Sequence, residues 1–312
     1  ILRVTPDDKF RVQINADLSG QGRIIKEGAG TLFLTGINAL TGSSLISEGR
    51  VIVNTLASLG TQRDGWIIEK TGVLDAGNNA GSIASILNTI SAASRGVLAL
   101  SGSITSAADM KSLKDELYIG SSGYLSLGTF GQNLTAGADT FYLGGGDGEV
   151  GIKGNLTTGD SLFLGNGESS GIVRIESHNA NWVGDIDLRR GITLIGDFDD
   201  SLGNGTLSVG YGATATSKFI SNISQDSAGM INIDQAQRFG YDLSNFERLA
   251  LGALAGETLT IDQPLIAAQN GYYFSGTGDV LINSALDKNS DLSIDAQDNQ
   301  GGIITLNHAS DL

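Results

Sequence analysis

Cysteine is missing from this chain, with none among its 312 residues. No disulfide can stabilise the fold, and no thiolate can act as a nucleophile or soft metal ligand, so burial of apolar side chains must supply the stability. Proline is scarce as well, with 2 residues against 45 glycines, and the glycines show no three-residue period. This composition excludes collagen-like and polyproline structure.

Positive charge is also in short supply. Lys and Arg number 19 against 34 Asp and Glu, which gives a formal net charge of −15. A nucleic-acid surface needs a basic stripe, and the sequence has none, so we expect no nucleic-acid partner. No apolar run approaches the roughly 18 residues of a membrane-spanning helix, so we expect no direct membrane insertion by this segment.

Short alternating runs dominate what is present. Hydrophobic residues make up 40% of the chain, enough for a packed core. Runs such as 31–34, 51–53 and 206–209 alternate apolar and polar residues or stay β-branched, and Gly or Asn interrupts them at intervals of roughly 6–12 residues. The pattern predicts an all-β protein with many short strands and tight turns.

A long internal repeat separates a solenoid from a sandwich or barrel, which would show the same alternation without repeating along the chain. Residues 30–60 and 171–203 share one pattern, whose aligned residues are Asn38 with Asn179, Gly42 with Gly184, Gly49 with Gly191, and Ser58-Leu59-Gly60 with Ser201-Leu202-Gly203. We predict a single solenoid over 1–312 with long repeats at about 30–170 and 171–301 and a third copy starting near 302. Such duplication favours a scaffold over a catalytic domain, because each stacked unit covers its neighbour's open end.

The segment 30–60 resembles the autotransporter-associated β-strand repeat. The resemblance rests on Gly30-Thr31-Leu32-Phe33-Leu34, Gly36, Asn38, Thr41-Gly42, Gly49, Val51, Val53 and Ser58-Leu59-Gly60. The copy at 171–203 matches less closely, since Ser177 and Val183 replace the Gly and Thr of the pattern. The resemblance covers about a tenth of the chain closely and about a fifth with both copies.

This resemblance implies a parallel β-helix of about three strands per turn, displayed outside a bacterial cell and tethered through an outer-membrane barrel that lies beyond this segment. We predict a right-handed sense and on the order of 12–14 turns. Both chain ends interrupt a strand pattern, so we expect a fragment whose targeting and anchoring parts lie elsewhere.

One stretch breaks the strand pattern. Ile83, Ile86, Leu87 and Ile90 have helical spacing after Ser82, a residue type that caps helices. The segment 82–92 has no counterpart in the second copy. It is either a surface excursion used in recognition or a helix that covers exposed core, and we favour the second reading.

Several motifs suggest chemistry at first sight. Gly159-Asp160-Ser161-Leu162 spells the signature of a lipase family, but neither His178 nor His308 lies in the required Asp-x-x-His context. The run 144–149 lacks the spacing and iteration of calcium repeats. The aromatic residues Trp66, Trp182, Tyr272 and Tyr273 could stack on sugars, although packing within the turns is the commoner role. We therefore predict no cofactor and no metal site.

The one dense group of carboxylates is Asp185, Asp187, Asp197, Asp199 and Asp200, which lies beside Arg189 and Arg190. The aligned positions of the first copy are not acidic, so the scaffold does not depend on the group. We interpret it as a solvated face, with a glycan or cation site as the alternative.

The predicted function is a structural or adhesive segment of a secreted cell-surface passenger, acting as a stalk or surface-contact module, and not an enzyme. The expected partners are a host-surface or glycan ligand, or further passengers through self-association. The alternative is a glycan-active β-helix enzyme, a polysaccharide lyase or hydrolase, that uses residues 185–200.

Overall fold

A computed structural model describes residues 1–60, 62, 64–106, 115–134, 139–233, 242–287, 290–294 and 302–307. Consecutive strands pair in parallel and stack as an all-β solenoid of about 13 turns. The predicted parallel β-helix is therefore confirmed. The right-handed sense stays a prediction, which rests on the general preference of parallel crossover connections.

Short strands follow one another through the described residues. The first fifteen are β1 (Leu2–Val4), β2 (Arg11–Ile14), β3 (Leu18–Gly20), β4 (Ile24–Lys26), β5 (Thr31–Leu34), β6 (Asn38–Leu40), β7 (Ser44–Val53), β8 (Trp66–Asp75), β9 (Val97–Ala99), β10 (Gly102–Ile104), β11 (Tyr118–Gly120), β12 (Tyr124–Leu127), β13 (Asn133–Leu134), β14 (Thr140–Leu143) and β15 (Glu149–Ile152). The others are β16 (Asn155–Leu156), β17 (Ser161–Leu164), β18 (Gly171–Ile175), β19 (Asp185–Leu188), β20 (Ile192–Gly196), β21 (Thr206–Val209), β22 (Thr214–Thr216), β23 (Met230–Ile233), β24 (Ala250–Ala253), β25 (Thr258–Ile261), β26 (Tyr272–Phe274), β27 (Asp279–Ile282), β28 (Leu292–Ile294) and β29 (Ile304–Leu306).

Two long sheets form the walls. The first sheet has twelve strands, whose main path is β1-β4-β7-β8-β9-β11-β14-β17-β19-β21, and β2 and β5 join it beside β7. The second sheet has ten strands, in the order β10-β12-β15-β18-β20-β22-β23-β24-β26-β28. Outside these two sheets, the described turns carry paired strands in the small sheets β3-β6, β13-β16 and β25-β27-β29.

The core consists of columns of identically placed side chains. In the first sheet nine buried residues from successive turns stand opposite one another: Leu32, Val51, Leu74, Leu98, Ile119, Leu143, Leu164, Leu188 and Val209. In the second sheet eight do so: Leu125, Val150, Val173, Leu194, Ala215, Ile231, Leu251 and Phe274. Burying each large side chain contributes about 1.5–3 kcal/mol, so the columns account for much of the stability.

Two aligned asparagines occupy equivalent places in the two sequence copies. Asn38 Oδ1 accepts from the backbone N–H of Leu18 on the preceding turn, and its Nδ2 donates to the carbonyl of Ser58 on the next. Asn179 makes the same two bonds: its Oδ1 accepts from the backbone N–H of Leu156 at 2.7 Å, and its Nδ2 donates to the carbonyl of Ser201 at 2.8 Å. The local pattern is thus structurally equivalent in both copies.

The copies differ in which sheet they enter. The half of β7 that follows Gly49 continues the first sheet, whereas the strand that follows Gly191, β20, belongs to the second sheet. The aligned strands therefore sit one face apart around the solenoid axis. The boundaries of the long repeats stay a prediction.

Helical structure covers the core where strands are missing. Helix α1 (Leu56–Leu59) is capped by Thr55, whose side chain accepts from the Ser58 N–H. Helix α2 (Ile83–Thr89) follows a 3₁₀ turn at Ala80–Ser82 and buries Ile83, Ile86 and Leu87. The helix is present where the spacing predicts it and it covers the core. Ser82, however, makes no side-chain capping hydrogen bond, because the preceding 3₁₀ turn already runs into the helix.

The described residues contain no helix that is both long enough and apolar enough to cross a membrane.

Candidate functional site

The structure divides the predicted carboxylate group into two. Asp185 and Asp187 lie on β19 in the first sheet, with side chains on its outer surface. Asp197, Asp199 and Asp200 follow β20, at the edge of the second sheet. The five carboxylates therefore do not form one site.

Asp197 and Asp200 form pairs that connect successive turns. Arg174 on β18 pairs with Glu149 at 2.7 Å on the preceding turn and with Asp197 at 3.1 Å on the next. The hydrogen bond that Arg174 donates to Glu149 contributes most to the raised pKa of Arg174, so the guanidinium is firmly charged. Asp200 Oδ1 accepts a hydrogen bond from His178 Nδ1 at 2.8 Å. These pairs join neighbouring turns.

The first sheet carries a row of outward side chains that the sequence analysis missed. This outer row runs in register from Arg50 through Val73 and Val97 to Tyr118, and then from Tyr142 through Phe163 to Asp187. The rings of Tyr118 and Tyr142 meet edge to face at 5.5 Å, and those of Tyr142 and Phe163 stack at 5.2 Å. A signal for this row existed in the strands 140–143 and 161–164. Each places an aromatic residue at an outward position between inward apolar residues.

Arg189 contacts both ends of the aromatic row. Its guanidinium lies 5.0 Å from the centre of the Phe163 ring, donates to Tyr118 Oη at 2.9 Å and pairs with Asp187 at 2.7 Å. Burial is the main cause of the raised pKa of Tyr118, so the phenol keeps its proton at neutral pH. Because its oxygen already accepts from Arg189, the Tyr118 hydroxyl presents its hydrogen as a donor.

Two loops from later turns fold over the outer row. The loop at 144–148 brings Asp147 to Arg50 at 2.6 Å, and Arg50 also pairs with Asp75 at 3.1 Å. Gly145 has φ +99°, and a Cβ there would lie 2.9 Å from the Val97 side chain, so this close approach requires glycine. The ion pair between Asp147 and Arg50 thus holds the loop within the run 144–149 against the first sheet.

The second loop lies beside the aromatic row. Asn166 donates to the backbone carbonyl of Lys70 at 2.8 Å, and Glu168 pairs with the Lys70 ammonium at 3.1 Å. Arg95 and Glu116, which precede strands β9 and β11 of the first sheet, form an ion pair. These polar groups form a rim beside the outward aromatic rings.

Two adjoining depressions result. One of about 320 Å³ is lined by Lys70, Arg95, Glu116, Tyr118, Tyr142, Phe163, Asn166 and Arg189. The other, of about 280 Å³, is lined chiefly by Phe163, Asp185, Asp187, Thr206, Ser208 and Ser224. They share Phe163, and the pair between Asp187 and Arg189 bridges them. We call the two together the outer groove.

The structure also shows where the other residues singled out in the sequence lie, namely the aromatic residues, Ser161 and the histidines. Trp66, Trp182 and Tyr272 are buried, and each donates a side-chain hydrogen bond to a backbone carbonyl, so they pack within the turns. Ser161 begins β17 and lies in the smaller depression, whereas His178 bonds to Asp200 at the other sheet. His308 lies outside the described residues.

Among the described residues, no three His, Asp or Glu side chains are grouped as metal ligands would be. No protein-family model matches the chain, and no curated protein or solved structure matches it either.

Proposed function

We propose that this chain is a rigid structural and adhesive segment of a surface-displayed passenger protein. The observation that carries the proposal is the pair of buried columns, which continue through nine turns of one sheet and eight of the other. About 13 turns spaced by ~4.8 Å give a rod of about 60 Å. Extension and an elongated contact surface are what such a rod supplies.

Secretion as an autotransporter passenger is the second part of the proposal. It is supported by the β-strand repeat pattern at 30–60 and by the absence of cysteine, since no disulfide can form before export. Cross-turn pairs such as Arg3 with Glu27 and Arg174 with Asp197 provide non-covalent ties in place of disulfides.

The location is tested with antibodies against the purified chain, applied to cells that produce the whole protein. Labelling of intact cells, unchanged by permeabilisation, is the expected result. Labelling that requires permeabilisation would overturn the proposal of surface display.

A glycan-active enzyme is the second candidate, because Asp185 and Asp187 both line the smaller depression. The test compares the parent with an Asp185→Asn, Asp187→Asn double variant on acidic and neutral polysaccharides, with Asp199→Asn, Asp200→Asn as the matched control. We expect no depolymerisation by any of the three. Cleavage by the parent and the control that the first variant loses would establish the enzyme instead.

A further inference from the structure

The outer groove has aromatic rings at its base. Val73, Val97 and Ala99 form a small apolar cluster with Tyr118 on the outside of the first sheet, separate from the main core. Tyr142 and Phe163 pack against this cluster and stay partly exposed. A row of partly exposed rings, held from behind, is a preformed surface for the apolar face of a ligand.

Polar groups line the larger depression together with these rings. Lys70, Arg95 and Arg189 supply N–H donors, Glu116 supplies carboxylate acceptors, and Asn166 has its amide beside the rim. Ligand sites in proteins combine such an aromatic base with a few placed polar groups and measure about 300–1,000 Å³. The depressions, of about 320 and 280 Å³, fall in that range together.

Each cation that lines the groove pairs with a carboxylate, and Asp185 adds one further negative charge. Lys70 pairs with Glu168, Arg95 with Glu116, and Arg189 with Asp187. An anionic ligand would have to displace these carboxylates and approach a chain of net charge −15. A ligand whose groups both donate and accept hydrogen bonds fits this lining of paired charges better, and the hydroxyl is such a group.

We propose that the outer groove binds a neutral oligosaccharide that lies along the solenoid axis. The apolar faces of its sugar rings contact Tyr142 and Phe163, and its hydroxyls bond to the paired charges at the rim. The depressions follow one another from β8 to β21, so a chain of several sugars, and not a single one, matches their arrangement. The proposal goes beyond the structural role and does not depend on it.

The test uses the purified chain and four probes: cellohexaose, xylohexaose and mannohexaose as neutral hexasaccharides, and hexagalacturonate as an anionic one. Binding is measured by isothermal titration calorimetry. The groove variants are Tyr142→Ala and Arg189→Gln, and circular dichroism and a melting curve verify that each is folded. The matched control is Tyr211→Ala, because Tyr211 is an exposed ring with Arg248 5.2 Å from its centre on a different part of the surface.

We expect at least one neutral hexasaccharide to bind the parent and the Tyr211→Ala variant equally. Each groove variant should weaken that binding tenfold or more, and Arg189→Gln should do so without loss of the fold. Binding of hexagalacturonate alone, binding of no probe, or equal weakening in the control and groove variants would each overturn the proposal.

Discussion

Two buried asparagines show how single side chains connect successive turns. Asn38 and Asn179 each hold a backbone N–H of one turn and a backbone carbonyl of another. Buried backbone groups without partners are costly, and turns leave such groups unpaired where strands end. The amide side chain has both a donor and an acceptor, which explains why asparagine stands at this corner.

Replacing Asn179 by alanine should therefore lower the free energy of unfolding by roughly 1–3 kcal/mol, because the Leu156 N–H and the Ser201 carbonyl lose their partner. Urea unfolding followed by circular dichroism measures the change. The control is Asn181→Ala at an exposed position nearby, which should stay within about 0.5 kcal/mol of the parent. Equal losses in both variants would contradict the bridging role.

A second residue of this kind is Lys26, whose side chain is fully buried. Its ammonium donates to the carbonyls of Glu27 at 3.1 Å and Glu48 at 2.9 Å, and to that of Gly28. Burial lowers the pKa of Lys26 from its usual 10.5, although the charge of Glu48 works in the opposite direction. The folded chain therefore releases this proton at a lower pH than the unfolded chain.

The sign of the pH dependence follows from that difference. Between the lowered pKa and 10.5 the unfolded chain binds more protons, so the contribution of Lys26 to stability rises with pH in that window. The Lys26→Met variant should be less stable at pH 8, because three carbonyls lose their donor, and should lack the rise. Thermal melts of parent and variant at pH 8 and pH 10 measure both effects. A parallel pH response in the two proteins would show that Lys26 does not titrate as stated.

At the scale of elements, strands and helices were predictable to different degrees. Alternation located strands such as β5 and β21, because the period of two decides which side chains face the core. Apolar spacing likewise located α2. The cap at Ser82 was wrongly expected, since a 3₁₀ turn preceding the helix is not visible in the spacing of apolar residues.

Helix α2 supplies a test of its covering role. Ile86→Ala should cost about 2–5 kcal/mol, because Ile86 is completely buried and its loss leaves a cavity in the core. Ser85→Ala, on the exposed side of the same helix, should change stability by less than about 0.5 kcal/mol. Chemical denaturation of both variants makes the comparison. If Ile86→Ala were neutral, α2 would be an excursion and not a cover.

At the scale of the whole molecule, contacts across many turns shape the surface. The pairs Arg50 with Asp147 and Lys70 with Glu168 join residues 97 and 98 positions apart. Predicting these contacts from sequence would require the number of residues in every intervening turn. An error in one turn would assign the later side chains to the wrong face of the solenoid. The carboxylates at 185–200 were separated for the same reason. The fold could be read from periodicity, whereas the outer groove could not.

Among these long-range contacts, the ion pairs of Arg50 give the clearest test. The Asp75 side chain is only 6% exposed, so Arg50→Gln leaves a buried carboxylate without its guanidinium and should cost about 3–5 kcal/mol. Adding Asp75→Asn should recover much of the loss. Arg3→Gln, which breaks the exposed pair with Glu27, is the control and should cost at most about 1 kcal/mol. Urea midpoints of the four proteins measure the effect, and an unrecovered double variant would contradict the pairing.

A solenoid of stacked turns also predicts how damage spreads through the molecule. Each turn contacts chiefly its neighbours, so stability is close to a sum of turn and interface contributions. Leu164 is fully buried in the first column between Leu143 and Leu188, and Leu164→Ala should remove about 2–5 kcal/mol locally. Hydrogen exchange should therefore accelerate most in β14, β17 and β19, and much less in β4 and β27, which lie many turns away. Uniform acceleration throughout these strands would instead show one globally cooperative unit, and it would remove the physical basis for treating the chain as an extendable rod.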